Sequence, residues 1–466
     1  MEYSAGTHIL VFPYPAQGHI IPMLDLTNQL ATTGLTITIL VTPKNLPLLN
    51  PILTTHPSLK TLVLPFPLHP SIPPGVENAK DLPANYVPFI MQAMGKLYEP
   101  LLSWFNSHPS PPSAIISDMF LGWTQQLAGQ LNIRNIVFSP SGAMALSIIY
   151  SLWRYMPKIE QDDQLFPFSK IPNCPTFPLC QVSPLYRSYV AGDPLSEFIK
   201  DGFVGDIRSW GLVINSFTEL EGVYLDHLRE ELGHDRVWAV GPLLLPKTDS
   251  SRTKERSGPT PISVEGVMTF LDTCKDHTVV YICFGSQTVL TNHQIEELAS
   301  GLEKSGIHFI WCVKEPTREH DVEGYGKFPS GFEDSVAGRG FIIRGWVPQV
   351  PILNHRAICA FLTHCGWNSI LEGIVAGVPM LAWPMGADQF TNATLLVDVL
   401  NVGLRVCDGA NTVPNPDELA QKLVKLASEN LAERERAKQL RDAAFDALKG
   451  GCSAKDFESL VHHMVA

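Results

Sequence analysis

Two groups of residues in this chain combine type and spacing in a way that can do chemistry. The first is a histidine and an aspartate: His19 in Pro15-Ala16-Gln17-Gly18-His19, and Asp118 in Ile116-Ser117-Asp118-Met119-Phe120. Each follows a short apolar run, so each is expected just past the C-terminal end of a buried strand, where open α/β sheets bind ligands. A carboxylate beside an imidazole fixes its tautomer and stabilises the imidazolium, which makes a general base. The bland readings are a structural histidine and an aspartate that only caps a helix.

The second group lies in one stretch, Trp346 to Gln389. Ile358–Leu362 reads as a buried strand, Thr363-His364-Cys365-Gly366 as a turn, and the residues to Ala376 as a helix that Asn368 and Ser369 can cap. Gly377 ends that helix, and Pro379–Trp383 is the next strand. A strand that turns through Gly into a helix N-terminus presents free N–H groups and a positive dipole end, a seat for phosphate. Around it stand Trp346, Trp367, Glu372 and the pair Asp388-Gln389. The bland alternative is an ordinary βαβ crossover with an incidental His and Trp.

The elements that must position these residues recur along the chain. His8–Phe12 is a strand, Pro13–Gly18 a loop, Ile21–Thr32 a helix, and Leu35–Val41 a strand. The same order returns at Thr278–Phe284, Gly285-Ser286, Asn292–Ser305 and Ile307–Val313, which implies two similar α/β halves with largely parallel sheets. Between them Thr61–Leu64, Ala114–Ser117, Asn135–Phe138, Gly211–Asn215 and Val237–Val240 read as strands. Val87–Trp104 and Trp123–Leu131 read as helices, and Met156–Pro184 as an irregular, Pro-rich wall or lid. The polar, Pro- and Gly-bearing run 246–262 is the expected linker. It separates an N-terminal domain, 1–245, from a C-terminal one, 263–445. Helices are expected at Asn392–Leu400 and Pro416–Glu429, and a last helical region from Ala432 onward.

The stretch from Trp346 to Gln389 resembles the signature box of the plant family 1 UDP-glycosyltransferases, in length, order and nearly every diagnostic position. The resemblance extends over essentially the whole chain. It implies the GT-B fold: two Rossmann-like domains facing across a cleft, with the last helix, about 446–466, returning to the N-terminal domain. It implies a catalytic pair of His19 as base and Asp118 as its orienting partner. It puts Trp346 under the uracil ring, Val347 and Gln349 at the base edge and ribose, and Glu372 on the ribose hydroxyls. His364, Asn368 and Ser369, with the backbone near Gly366 and with Ser286, would hold the diphosphate. Trp367, Asp388 and Gln389 would read the sugar. Phe12, Tyr14, Met119, Phe120 and Ser141, in the loop after Phe138, are candidate walls of the acceptor pocket.

Size and composition narrow the partners. A chain of 466 residues exceeds one core and suggests two domains. With 45% hydrophobic residues and mean hydropathy near zero it reads as a well-packed soluble protein. A net charge of −12 disfavours nucleic acid and anionic membrane surfaces, so an anionic substrate must be met by local dipoles and hydrogen bonds. Nine Cys residues without a CxxC spacing suggest reduced thiols, with Cys174/Cys180 and Cys359/Cys365 the nearest pairs. No secretory signal is recognisable at the N-terminus, and Ile136–Trp153, though uncharged, contains Pro140 and Gly142 and reads as strand, loop and helix. The expectation is a cytoplasmic monomer without membrane insertion. No Asp-x-Asp triplet, no Gly-x-Gly-x-x-Gly after a strand and no Gly-x-Ser-x-Gly elbow occurs. Hence no metal-bridged diphosphate, nicotinamide cofactor or serine hydrolase chemistry is indicated.

The resulting expectation is an inverting O-glycosyltransferase that needs no resident cofactor. It takes a UDP-sugar, UDP-glucose by preference, and a small lipophilic hydroxylated acceptor such as a plant phenolic. Two rivals stay open at this point: the same fold forming a glucose ester, thioglucoside or C-glycoside, and a UDP-sugar sensor that transfers nothing.

Overall fold

The computed structural model describes residues 6–159, 165–173, 175–244, 264–316, 324–428 and 431–465. The expected linker and Cys174 lie outside the described residues. The chain divides into two compact units, one of residues 1–243 with 446–466, the other of 244–445.

In the first unit seven strands form one parallel sheet: β1 (His8–Phe12), β2 (Thr36–Val41), β3 (Lys60–Val63), β4 (Ala114–Asp118), β5 (Arg134–Ser139), β8 (Gly211–Ile214) and β9 (Val237–Ala239). Their order is β3-β2-β1-β4-β5-β8-β9. The intervening β6 (Leu165–Pro167) and β7 (Thr176–Pro178) pair separately as a short antiparallel hairpin, in the stretch expected to be irregular. β1, β4 and β8 are buried at every position, as strands covered by helices on both faces must be. The chain order reverses between β1 and β4, so the crevice beyond their C-terminal ends is the switch point of this sheet.

The second unit repeats the plan with six parallel strands: β10 (Val279–Cys283), β11 (His308–Val313), β12 (Gly340–Arg344), β13 (Ile358–Thr363), β14 (Met380–Ala382) and β15 (Gly403–Arg405). The order β12-β11-β10-β13-β14-β15 puts the switch point between β10 and β13. Ile282, Phe309, Trp311, Leu362 and Trp383, none of them solvent-accessible, anchor its core with Leu419 and Leu423 from the helix Pro416–Leu426.

The last helix, Cys452–Val465, belongs to the first unit. Leu460, Val461 and Met464 enter the core around β1, β2 and β4. Asp456 Oδ2 accepts from the Ala239 N–H of edge strand β9 at 2.8 Å, and the Trp238 indole N–H donates to Ser459. An edge strand leaves a row of unpaired backbone groups, and this helix covers it.

Three expected boundaries move. The first helix is Gln17–Leu30, starting four residues before Ile21 and holding Pro22 inside it, and His19 lies in the first turn rather than in a loop. The expected helix Val87–Trp104 is two helices, Val87–Gly95 and Tyr98–Ser107. Pro100 has no N–H to give residue 96, so the chain restarts and puts Pro100 in a first turn, where none is needed. Finally, the expected Asn392–Leu400 helix begins at Gln389, and its last part, Leu395–Val399, widens into a π turn.

Candidate active site

β1 and β4 run side by side with Phe12 opposite Ser117, so the residues just past them meet. Ala16, extended, starts the helix in which His19 completes the first turn. Asp118 ends β4. The His19 Nδ1 lies 2.8 and 3.0 Å from the two carboxylate oxygens of Asp118. Asp118 is fully buried and the His19 side chain is 18% exposed, so one member is fixed by its surroundings and the other remains accessible. Asp118 Oδ1 also accepts from the Phe120 N–H at 2.9 Å, capping the short turn Met119–Leu121. The two sequence readings of Asp118, helix cap and partner of His19, are both met by one carboxylate. With Nδ1–H committed to Asp118, the neutral imidazole carries its lone pair on Nε2, where a base needs it.

Aromatic rings enclose the imidazole: Tyr14 at 5.3 Å and Phe120 at 4.7 Å between centroids. Tyr14 is fully buried, and burial together with the Asp118 charge holds its phenol far above the usual range, so it stays neutral. The five candidate pocket walls separate here. Only Phe120 is partly exposed. Phe12, Tyr14, Met119 and Ser141 are all buried, Phe12 edge-on to Trp123, and they back the site rather than line it. Phe12 ends β1, which is covered on both faces, and Tyr14, Met119 and Ser141 follow directly on the C-terminal ends of β1, β4 and β5, where they are themselves buried.

In the second unit β13 ends at Thr363 and the helix Trp367–Ala376 starts at once, ending at Gly377 in the left-handed conformation. Its N-cap is Gly366, with no side-chain cap. That corrects the expectation that Asn368 or Ser369 caps it: both are already inside the first turn. A glycine cap leaves the first-turn N–H groups to an incoming anion. His364 is wedged between two glycines. A Cβ on Gly285 would stand 2.6 Å from its Nε2, and one on Gly366 2.5 Å. Gly285, just past β10, has φ +76°, and exposed Ser286 follows it, so the turns after β10 and β13 close on one histidine at the switch point. Burial drives the His364 pKa down to about 4, and its Nδ1 is buried without a hydrogen-bond partner. Before an anion binds, His364 is therefore neutral.

The remaining box residues gather around this seat. Gln349 Nε2 donates to Glu372 Oε2 at 2.6 Å and to Ser369 Oγ at 3.2 Å, so the residues expected at base edge, ribose and phosphate form one cluster. Trp346, just past β12, keeps part of its surface exposed, as a stacking platform requires, while Val347 beside it is buried. Asn368 is partly exposed. Trp367 is 3% exposed, so its indole is core. Gln389 Oε1 accepts from the Met385 and Gly386 N–H groups at 2.9 and 3.1 Å. Those donors use the carbonyl, so Gln389 cannot bridge two sugar hydroxyls as donor and acceptor; its amide Nε2 is what it can offer. One residue outside the expected set belongs here: Asn392, whose Nδ2 donates to Asp388 Oδ2 at 3.0 Å and to the Cys365 carbonyl at 3.1 Å. Its spacing from Asp388, one helical turn, was the available signal.

Among the described residues no three His, Cys, Asp or Glu side chains stand together as a metal site, the described cysteines are all free thiols, and no helix is long and apolar enough to cross a membrane.

The family described as UDP-glucoronosyl and UDP-glucosyl transferase matches residues 252–405. UDP-glycosyltransferase 89B2 of Stevia rebaudiana is 58% identical over 99% of both chains. The flavonol 3-O-glucosyltransferase UGT89B1 of Arabidopsis thaliana is 55% identical over 99% of this chain and 96% of its own. Among solved structures, Arabidopsis thaliana UGT89C1 complexed with UDP-L-rhamnose superposes with a TM-score of 0.82 at 38% identity, covering 99% of this chain and 100% of that one. The same protein has also been solved with quercetin, at a TM-score of 0.79 and 36% identity over the same shares of the two chains.

Proposed function

The chain belongs to the plant family 1 UDP-glycosyltransferases, and from that premise we propose that it moves glucose from UDP-glucose to a hydroxyl of a flavonoid or related phenolic, with inversion. The observation that carries this reading is the His19–Asp118 pair, with Nδ1 held by a buried carboxylate and the ring accessible beside Phe120. His19 Nε2 takes the phenolic proton as the oxygen attacks the anomeric carbon in line, and the imidazolium is stabilised by Asp118. UDP leaves from the opposite face, so an α-linked donor yields a β-glucoside. The diphosphate is received by the uncapped helix N-terminus at Gly366, by Ser286 and by a hydrogen bond from His364. Trp346 stacks on the base, Glu372 and Gln349 hold the ribose, and Asp388 with the Gln389 amide contacts the sugar.

A flavonoid acceptor is supported by UGT89B1, named for flavonol 3-O-glucosylation, and by UGT89C1, solved with quercetin. Glucose rests on the first of these. The second was solved with UDP-L-rhamnose, which makes rhamnose the competing donor. The test is a matrix of UDP-glucose, UDP-xylose, UDP-galactose and UDP-rhamnose against flavonols, simple phenols, benzoates and thiols, read by product mass. Flavonol O-glucoside should dominate, with UDP-xylose the second donor. Preference for UDP-rhamnose removes the donor assignment, and UDP binding without any product removes the enzymatic one.

A further inference from the structure

The loop that carries Asp388 and the turn that carries Gly366 arrive from different strands, β14 and β13, yet a single side chain joins them. Asn392 is 2% exposed, in the helix Gln389–Thr394. Its amide nitrogen has two hydrogens and two acceptors, Asp388 Oδ2 at 3.0 Å and the Cys365 carbonyl at 3.1 Å. Both partners are pure acceptors, so the nitrogen must face them and the opposite amide orientation is ruled out. We propose that Asn392 is a positioning residue for donor use, locking the sugar-side carboxylate Asp388 to the phosphate-side turn at Cys365–Gly366. This rests on the donor assignment made above.

Each half of the lock has a geometric consequence. On one side, Asn392 donates to Asp388 Oδ2, which fixes the plane of the carboxylate assigned to the sugar. Gln389 does not do this, because its carbonyl closes its own loop onto Met385 and Gly386. On the other side, Cys365 has φ +64°, a conformation a non-glycine residue holds only under constraint. In a trans peptide the N–H points opposite to the C=O. Pinning the Cys365 oxygen therefore fixes the direction of the Gly366 N–H at the N-terminus of the phosphate-side helix. Asn392 thus sets the relative placement of an acceptor for the sugar and a donor for the diphosphate.

The experiment measures UDP and UDP-glucose affinity by calorimetry, and turnover, for wild type, Asn392→Ala, Asn392→Asp, Asp388→Ala and the Asp388→Ala/Asn392→Ala double variant. Asn392→Asp keeps the shape and loses both N–H donors, so it carries the test should Asn392→Ala fold poorly. Both single Asn392 variants should weaken UDP-glucose binding relative to UDP, and lower kcat/KM, by about ten- to a hundredfold, as expected for losing two buried hydrogen bonds, one of them to a charge. UDP alone should lose less than about fivefold. In the Asp388→Ala background the further loss from Asn392→Ala should shrink to a few-fold, because the two act through one contact. Equal loss of UDP and UDP-glucose affinity overturns the proposal, as do additive losses or wild-type behaviour of Asn392→Asp. The binding arms need no acceptor, so if wild type binds UDP-glucose and transfers it to nothing, the assigned reaction fails while the role of Asn392 is still decided.

Discussion

At His19 the outcome turns on which ring nitrogen carries the proton, and one carboxylate decides it. Asp118 Oδ1 is also claimed by the Phe120 N–H. In Asp118→Asn that N–H keeps the side-chain oxygen and turns the new NH2 group toward His19, favouring the tautomer with its proton on Nε2. Turnover on a flavonol should therefore fall by roughly two orders of magnitude or more, and further than in Asp118→Ala. A milder loss in Asn than in Ala would show that the tautomer is not what Asp118 controls. A second carboxylate nearby makes a different prediction. Asp206 is 1% exposed, neither of its oxygens has a hydrogen-bond partner, and burial with the Asp118 charge holds it protonated far above the usual carboxylate range. The native state thus keeps a proton that the unfolded chain releases above about pH 4, so this residue costs stability increasingly as pH rises from there. Asp206→Asn removes the cost. Its Tm should match wild type near pH 4 and exceed it by a margin that widens toward pH 8, and a pH-independent difference would contradict the assignment. Of these features only His19 and Asp118 were legible in the sequence. Asp206 was not, because the burial that sets its protonation comes from packing between distant segments.

At the scale of elements, the two switch points do the positioning. Apolar runs bounded by Gly and Pro made β1, β4, β10 and β13 readable, and with them the turns that carry His19, Asp118, Gly285 and His364. The same sequence held signals that went unread. Asp193-Pro194 is an N-cap followed by proline at the first helical position, and it opens the helix Pro194–Ile207, where Asp193 accepts from the Ser196 N–H. The edge strand β12 has glycine on both sides, at Gly338 and Gly345, but its apolar run is only Phe341–Ile343 and is partly exposed, too short a pattern to tell a strand from a loop. The cap at Gly366 was misassigned because Asn368 and Ser369 are better capping types; the close approach of His364 selects glycine instead. That approach is testable at Gly285. Gly285→Ala puts a methyl 2.6 Å from His364 Nε2 at φ +76°, whereas Gly306, at φ +63°, has nothing within 4 Å of a Cβ. Both alanines carry the left-handed backbone cost of about 1–2 kcal/mol, but only Gly285→Ala should also weaken UDP binding, by tenfold or more. Equal UDP affinity in the two variants would mean that the His364 seat is not where the diphosphate sits.

At the scale of the molecule, the chain is two parallel-sheet units of one plan. The first carries the His19–Asp118 pair and the second the Gly366 turn with His364, and the last helix covers an edge of the first. That duplication was visible in the repeated strand-loop-helix openings. The return of Cys452–Val465 to β9 rested on the family resemblance, since no local pattern says where a helix docks. The division of labour gives the most direct test of the account. His19→Ala should lower turnover of UDP-glucose with a flavonol by roughly two to four orders of magnitude, the usual effect of a positioned general base. UDP affinity measured calorimetrically on the same preparation should stay within about twofold of wild type, because every residue assigned to the nucleotide lies in the other unit. Near-wild-type turnover in His19→Ala, or a loss of UDP affinity as large as the loss of turnover, would contradict it.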